Sequence, residues 1–99
     1  MKESELETMV RRVALEKNVL WLKFTPVGVR GYPDRICVAP GGKVGWLELK
    51  APGGKPSKLQ LQRLEELQSL GHTADWVDSL TDAIKFIDSL MPDVTTLRA

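Results

Sequence analysis

Two short motifs in the middle of the chain bring two carboxylates and one ammonium group close together in the sequence. Asp34 follows Pro33, and Glu48 is separated from Lys50 by a single residue. Carboxylate oxygens hold hard divalent cations at about 2.1 Å, and such a cation polarises a phosphoryl oxygen and lowers the pKa of a bound water. A nearby lysine can align or deprotonate that water, or stabilise negative charge on the phosphorane. These residue types therefore indicate a metal-dependent phosphodiesterase, and we interpret the chain as a small nuclease.

Two further side chains, Glu7 and Gln60, could take part in the same chemistry. Each also has a structural explanation, because Glu7 lies three residues after Ser4 and Gln60 lies three residues after Ser57. That spacing is typical of a capping box at the start of a helix. Gln60 shares a helical face with two later leucines and could therefore point toward a sheet. Capping and catalysis both stay open for these two residues.

The central acids and the lysine can also be explained without any chemistry. Glu48 beside Lys50 fits a surface ion pair, and Asp34 fits an acid in a turn. The single histidine, His72, follows a glycine of the kind that ends a helix, and we interpret it as structural. A nuclease that uses histidine as its general base is therefore disfavoured.

Length and composition limit the class of protein. Ninety-nine residues, of which 42% are hydrophobic and 27% charged, are typical of one ordinary globular domain. The single cysteine, Cys37, excludes an intramolecular disulfide and a cysteine-rich zinc site, which suits a reducing compartment. No apolar run approaches the roughly 20 residues of a membrane span. The polar, helix-like start of the chain is not that of a signal peptide.

Basic side chains concentrate in the middle third of the chain. Residues 30–63 carry seven basic and two acidic side chains, a net of +5, whereas residues 64–99 carry two basic and seven acidic ones, a net of −5. The only two acids in the basic third are the candidate metal ligands. A solvated loop could collect lysines in the same way, but a phosphate-binding surface predicts this pattern. The candidate DNA contacts are Arg30, Arg35, Lys55 and Lys58.

Apolar periodicity and turn residues predict seven elements in the order α-β-β-β-α-β-α. They are a helix from Ser4 to about Lys17, strands at 19–24, 34–39 and 44–50, a helix between Ser57 and Gly71, a strand at 72–77, and a helix that Ser79 opens and Pro92 stops. We expect a single α/β domain over residues 1–99, with a frayed tail at about 92–99.

The second and third strands should form a hairpin that gathers the central motifs. A turn centred on residues 40–43 places Asp34 opposite Leu49, within one residue of both Glu48 and Lys50. The acid and the lysine at the end of the third strand are two residues apart and therefore project from the same face. The leucines that alternate with them point to the other face.

The two segments that hold these motifs resemble the virus-type replication-repair nuclease family, VRR-NUC, a branch of the PD-(D/E)XK nucleases. They are Gly-Tyr-Pro-Asp-Arg-Ile at 31–36 and Trp-Leu-Glu-Leu-Lys-Ala-Pro-Gly-Gly-Lys-Pro-Ser-Lys-Leu-Gln at 46–60. The resemblance covers nearly the whole chain and is strongest to the small phage members. It implies the PD-(D/E)XK core, a mixed central sheet flanked by helices. Tyr32 departs from the family, whose small members more often have a compact aliphatic residue there, and its ring could stack on a base.

The resemblance also implies roles for individual residues. Asp34 and Glu48 would ligate Mg²⁺ or Mn²⁺ together with the backbone carbonyl of Leu49. Glu7 would approach the metal directly or through water. The implied catalytic set is Glu7, Asp34, Glu48, Lys50 and Gln60, with the lysine as the catalytic amine and the glutamine orienting either the lysine or the scissile phosphate.

The resemblance to the small phage members implies a symmetric homodimer that acts on branched DNA such as four-way junctions. Resolving a junction takes two nicks, so two symmetry-related sites are useful. We therefore expect a Mg²⁺- or Mn²⁺-dependent, structure-selective DNA endonuclease, similar to a Holliday-junction resolvase in DNA repair. It should work as a homodimer in the cytoplasm of a bacterium or of a phage-infected host cell.

Three alternatives to a junction resolvase stay open. One is a less selective nuclease that acts on flaps, nicks or linear duplex. Another is a non-catalytic DNA-binding module that kept the fold, although such a module would have no need of acids among phosphates. A plain dimerisation domain is the third, and the basic segment around the acids disfavours it.

Overall fold

The computed structural model of the protein describes residues 1–92. The predicted frayed tail, at about 92–99, lies outside the described residues from residue 93 on. The elements are α1 (Glu3–Glu16), β1 (Leu20–Lys23), β2 (Arg35–Val38), β3 (Val44–Leu49), α2 (Lys58–Ser69), β4 (Thr73–Val77) and α3 (Leu80–Leu90). This order confirms the predicted α/β architecture. The first two strands are each one residue shorter at both ends than predicted, which leaves Asp34 just ahead of β2.

The four strands form one mixed sheet in the spatial order β1-β2-β3-β4. The first three strands pair antiparallel, and β4 joins β3 in parallel. A parallel partner needs a crossover connection, and α2 supplies it between β3 and β4. No helix among residues 1–92 is long and apolar enough to cross a membrane.

The register of the β2–β3 hairpin differs by one residue from the predicted one. Ile36 pairs with Trp46, so the same register extended by two residues sets Asp34 opposite Glu48 and not opposite Leu49. The reason lies in the turn, where the N–H of residue 39 donates to the carbonyl of residue 43 across a three-residue loop. Two successive glycines with φ of 85° and 91° make this loop possible, because positive φ suits glycine and few other residues.

Helices cover both faces of the sheet. The larger core joins α1 and α3 to one face and contains Leu6, Val10, Ala14, Val19, Cys37, Ala39, Leu47, Leu49, Val77, Ala83, Phe86, Ile87 and Leu90. The smaller core lies under α2 on the other face and contains Leu64, Leu67 and Ala74, with Tyr32, Trp46 and Trp76 against it. Leu47 and Leu49 therefore face α1 and α3. Glu48 points to the opposite face of β3, as predicted, because side chains alternate along a strand.

The two predicted capping boxes have different outcomes. In α2 the box is complete, since Ser57 Oγ accepts from Gln60 N at 3.1 Å and Ser57 N donates to Gln60 Oε1 at 2.8 Å. In α1 the prediction is wrong, because the helix already begins at Glu3 and has no side-chain cap. Ser4 lies inside the first turn of α1, so Glu7 is free of any capping role.

Candidate active site

Asp34 and Glu48 meet at one end of the β2–β3 hairpin. Asp34 directly precedes β2, and Glu48 is the last residue but one of β3. The chain reaches Asp34 through the buried Pro33, and the main-chain carbonyl of Asp34 accepts from Phe24 N at 2.8 Å. This bond ties the two ends of the loop between β1 and β2 and fixes where the first acid stands.

Glu48 is a buried acid with a second acid beside it. Only 6% of its surface is exposed. Burial is the main cause that raises its pKa to about 7, and the negative charge of Asp34 adds to the rise, whereas the Lys50 ammonium lowers the pKa. A buried carboxylate near a like charge is unfavourable as an anion unless a positive charge offsets it. The arrangement therefore favours a cation between the two acids.

The two carboxylate oxygens of Asp34 have different surroundings. Oδ2 lies 3.1 Å from Nη1 of Arg35. Oδ1 is buried and has no hydrogen-bond partner in the part of the chain that the structure describes. Buried polar atoms are nearly always satisfied, and a carboxylate oxygen is the type of ligand that Mg²⁺ and Mn²⁺ prefer. The acids present therefore fit a hard divalent cation.

Glu7 stands on α1, apart from the other two acids. Its Oε1 accepts from Trp21 Nε1 at 2.9 Å and lies 3.5 Å from Arg35 Nε. Within residues 1–92 no three Asp, Glu, His or Cys side chains converge as a metal site, so the three acids are not gathered around one point. A cleft of about 220 Å³ nevertheless joins Glu7 to Asp34, since it is lined by Glu3, Ser4, Glu7, Lys23, Asp34, Arg35 and Leu49. Glu48 does not line this cleft.

Lys50 and Gln60 have different surroundings, since Lys50 lies near Glu48, whereas the side-chain contacts of Gln60 within residues 1–92 are those of the α2 cap. The backbone N–H of Lys50 donates to the carbonyl of Val77 at 2.9 Å, which anchors the end of β3 to β4. The lysine ammonium is close enough to Glu48 to lower its pKa. The carboxamide oxygen of Gln60 is used in the helix cap, so its carboxamide nitrogen is the atom that can meet a phosphate. A role for Gln60 at the phosphate stays a prediction.

The four basic side chains proposed as DNA contacts do not share one environment. Arg30, Lys55 and Lys58 are exposed, as a phosphate-binding surface requires. The side chain of Arg35 is only 12% exposed and is directed at Asp34 and Glu7. We therefore place Arg35 with the acids and not with the outer basic surface.

Tyr32 does not present a free ring for stacking on a base. Its hydroxyl donates to Glu66, and Cζ of Arg63 lies 4.5 Å from the centre of its ring. Arg63 also donates from Nε to the carbonyl of Arg30 at 2.9 Å. Together these contacts fasten the loop before Asp34 onto α2, a positioning role that the local sequence did not reveal.

Cys37 and His72 are not part of the site. Burial raises the pKa of the Cys37 thiol to about 12, so this cysteine is not a nucleophile at neutral pH. His72 lies next to the start of β4, where its ring packs edge-on against Trp46 with centroids 6.1 Å apart. That is the opposite end of β4 from Trp76, the parallel neighbour of Glu48, in agreement with a structural histidine.

Comparison with known proteins supports the same conclusion. No family model matches the chain. A protein of Acyrthosiphon pisum secondary endosymbiont phage 1, named "Putative nuclease p44", is 40% identical over 95 residues, which span 87% of this chain and 97% of the relative. Two solved structures of VRR-NUC domains superpose with TM-scores of 0.81 and 0.69 at 25% identity, and they cover 89% and 91% of this chain and 96% and 88% of their own. The chain therefore belongs to the virus-type replication-repair nuclease family as a small phage-like domain, and it is a nuclease of the VRR-NUC type.

Proposed function

We propose that this nuclease is a Mg²⁺- or Mn²⁺-dependent, structure-selective DNA endonuclease that acts as a homodimer on branched DNA such as four-way junctions. The observation that carries the metal dependence is the buried Oδ1 of Asp34, which lacks a partner among the described residues and stands beside a second buried acid. The charges of the two acids repel each other, and a bound cation would offset that repulsion and give Oδ1 a partner.

The residues of the chain divide the chemistry among them. A divalent cation supplies, when bound, electrophilic stabilisation of the phosphoryl group and more acidic water. Asp34 and Glu48 hold it with carboxylate oxygens, and the Leu49 carbonyl at the same strand end is a further candidate ligand. The Lys50 ammonium is suited to offset negative charge that develops on the phosphoryl oxygens. Glu7 lines the same cleft as Asp34 and can orient water there.

Exposed basic side chains provide the means to hold DNA. Arg30 precedes the motif of Asp34, while Lys55 and Lys58 follow Lys50 across a short turn. Gly53 N donates to Asp78 Oδ2 at 3.2 Å, which fixes that turn against the end of β4. These exposed basic groups, which precede and follow the acids in the sequence, are suited to bind the phosphates of the substrate.

The size of the domain supports a pair of subunits on a branched substrate. The described residues form one nuclease domain that measures 42 × 32 × 22 Å, so within them the nuclease surface itself would recognise a junction. Two symmetric sites would deliver the two nicks that junction resolution needs. Branched DNA would then be recognised through the distance between the two active sites of the dimer. Such an enzyme would act in DNA repair or replication.

A substrate panel tests the proposal. Purified protein is incubated with labelled linear, flap and four-way-junction DNA in the presence of Mg²⁺ or EDTA. We expect cleavage of the junction that EDTA abolishes. Equal cleavage of linear duplex and flaps would favour the alternative of a less selective nuclease, and binding without any cleavage would favour a non-catalytic module.

A further inference from the structure

We propose that Arg35 is a positioning residue that holds Asp34 and Glu7 so that one oxygen of Asp34 stays free for the cation. The inference rests on the proposed metal dependence and adds a residue that acts on the metal through its ligand. Arg35, the first residue of β2, follows Asp34 directly in the chain, so the residue that orients the ligand is its immediate neighbour.

The contacts of Asp34 show how the orientation is achieved. Nη1 of Arg35 lies 3.1 Å from Oδ2 of Asp34 and donates to the main-chain carbonyl of the same residue, also at 3.1 Å. The guanidinium thus holds both the backbone and the side chain of Asp34. Rotation of the carboxylate would break the ion pair, and the free, buried oxygen is therefore Oδ1. Partners of this kind orient metal ligands and support metal affinity.

The guanidinium also lies close to α1, where it forms an ion pair, although its buried Nε makes no hydrogen bond within residues 1–92. Its Nε lies 3.5 Å from Oε1 of Glu7, and its Cζ lies 6.0 Å from the ring centre of Trp21. Trp21 Nε1 donates to the same Glu7 oxygen at 2.9 Å. These contacts connect α1, β1 and β2 through one planar cation, which a lysine with its single ammonium cannot reproduce.

Charge explains why a cation is needed at this point. Asp34 and Glu48 lie at the same end of the hairpin and repel each other, and the guanidinium of Arg35 places a positive charge 3.1 Å from Oδ2 of Asp34. Without Arg35, Asp34 would be free to turn away from Glu48. A different role, in which the guanidinium stands in for the metal and must leave, fits less well because Arg35 leaves Oδ1 unpaired.

The test measures Mn²⁺ affinity in the absence of DNA, by electron paramagnetic resonance of free Mn²⁺, for the wild type, Arg35→Met and Arg35→Lys. We expect Arg35→Met to bind Mn²⁺ roughly 10- to 100-fold more weakly than the wild type. Arg35→Lys, which keeps the charge and loses the forked geometry, should lie between the two. A mere loss of folding stability would not produce this graded affinity in folded protein.

Two further variants interpret the result. Arg12→Met removes an exposed arginine of α1 and should bind Mn²⁺ like the wild type. Asp34→Asn lacks a proposed metal ligand and therefore shows how much Mn²⁺ the protein binds elsewhere. Equal Mn²⁺ binding by this variant and the wild type would contradict the proposed metal dependence itself. If the wild type binds at Asp34 and Arg35→Met binds equally or more tightly, the positioning role is overturned. Should Arg35→Met not fold, wild-type affinity in Arg35→Lys would overturn it.

Discussion

At the scale of residues, the site depends on one acid kept where its charge is unfavourable. Glu48 is buried, and its pKa is raised to about 7, first by desolvation and then by the charge of Asp34. The Lys50 ammonium opposes this rise but does not cancel it. The metal-free protein therefore loses stability when Glu48 ionises, and a bound cation would offset that loss.

This cost predicts a stability difference that depends on pH. The pKa of Glu48 is higher in the folded chain, at about 7, than the ordinary 4.5 of an unfolded glutamate. Stability from the protonated form is thus fully present below about pH 4.5 and is lost as the pH rises through 7. Glu48→Gln, which stays neutral, should match the wild type near pH 4.5 and exceed it near pH 8 by about 1–3 kcal/mol. Thermal unfolding in EDTA at both pH values measures this, and a difference that does not change with pH would refute it.

At the scale of elements, the order of helices and strands was predictable because it depends on local patterns. Apolar spacing every three or four residues marked the helices, and glycine and proline marked the turns. The start of α1 was not predictable from Ser4 and Glu7, since several polar residues there can begin a helix. The hairpin register depended on the conformation of two adjacent glycines.

The links among Glu7, Trp21 and Arg35 were also beyond local reasoning. They join α1, β1 and β2, which are far apart in the sequence, and no spacing rule connects them. The motifs Pro33-Asp34 and Glu48-Leu49-Lys50 could be connected from the sequence because a single turn separates the two strands beside which they lie. The residues that position them could be identified only once the helix was seen to pack over the sheet.

The loop between β1 and β2 offers a matched pair of glycine variants. Gly31 has φ of +85°, and a Cβ built there would lie 2.7 Å from Leu59 Cγ, whereas Gly28 has φ of +83° and open space around it. Alanine costs roughly 1–2 kcal/mol in this backbone conformation. We expect Gly28→Ala to lose about that much, and Gly31→Ala to lose more and to cleave more slowly, because the loop leads into Asp34.

Chemical denaturation and cleavage assays of both variants test this claim. Equal losses of stability in the two variants would show that the contact of Gly31 with α2 does not matter. Wild-type cleavage by folded Gly31→Ala would show that this contact does not position Asp34.

The capping box of α2 separates two roles of Gln60. Glutamate serves a capping box as well as glutamine does, so Gln60→Glu should keep the melting temperature of the wild type. If the carboxamide nitrogen meets the phosphate, the new carboxylate repels it, and we expect cleavage to collapse. The melting temperature and the cleavage rate, measured on the same preparation, distinguish the two roles. Unchanged cleavage would show that Gln60 only caps α2.

At the scale of the whole molecule, charge is divided along the chain. The segment 30–63 carries +5 and the segment 64–99 carries −5, so we expect the exposed basic side chains of the first segment to bind DNA. Affinity for DNA falls by roughly 0.9 log units per log unit of salt for each phosphate contacted. A small domain with few such contacts gains affinity when two copies bind one junction, because the second copy binds at high effective concentration.

This argument predicts a stable homodimer that cuts four-way junctions in preference to linear duplex. Light scattering at micromolar concentration tests the assembly, and competition with unlabelled linear DNA tests the preference. We expect the mass of a dimer and weak competition by linear DNA. A monomeric mass together with equal cleavage of junction and duplex would contradict the resolvase proposal and leave a general nuclease.

The central claim is that Asp34 and Glu48 hold the metal at which DNA is cleaved, and it is tested most directly by the cleavage rates of Asp34→Asn and Glu48→Gln with saturating Mg²⁺. Each change removes one ligand charge with almost no change of shape. Both variants should remain folded and bind DNA at least as tightly as the wild type, since a group that repels phosphate has become neutral, and cleavage should be abolished. Retention of more than about a few per cent of wild-type activity by either folded variant would contradict the assignment, because loss of an essential metal ligand removes electrophilic catalysis.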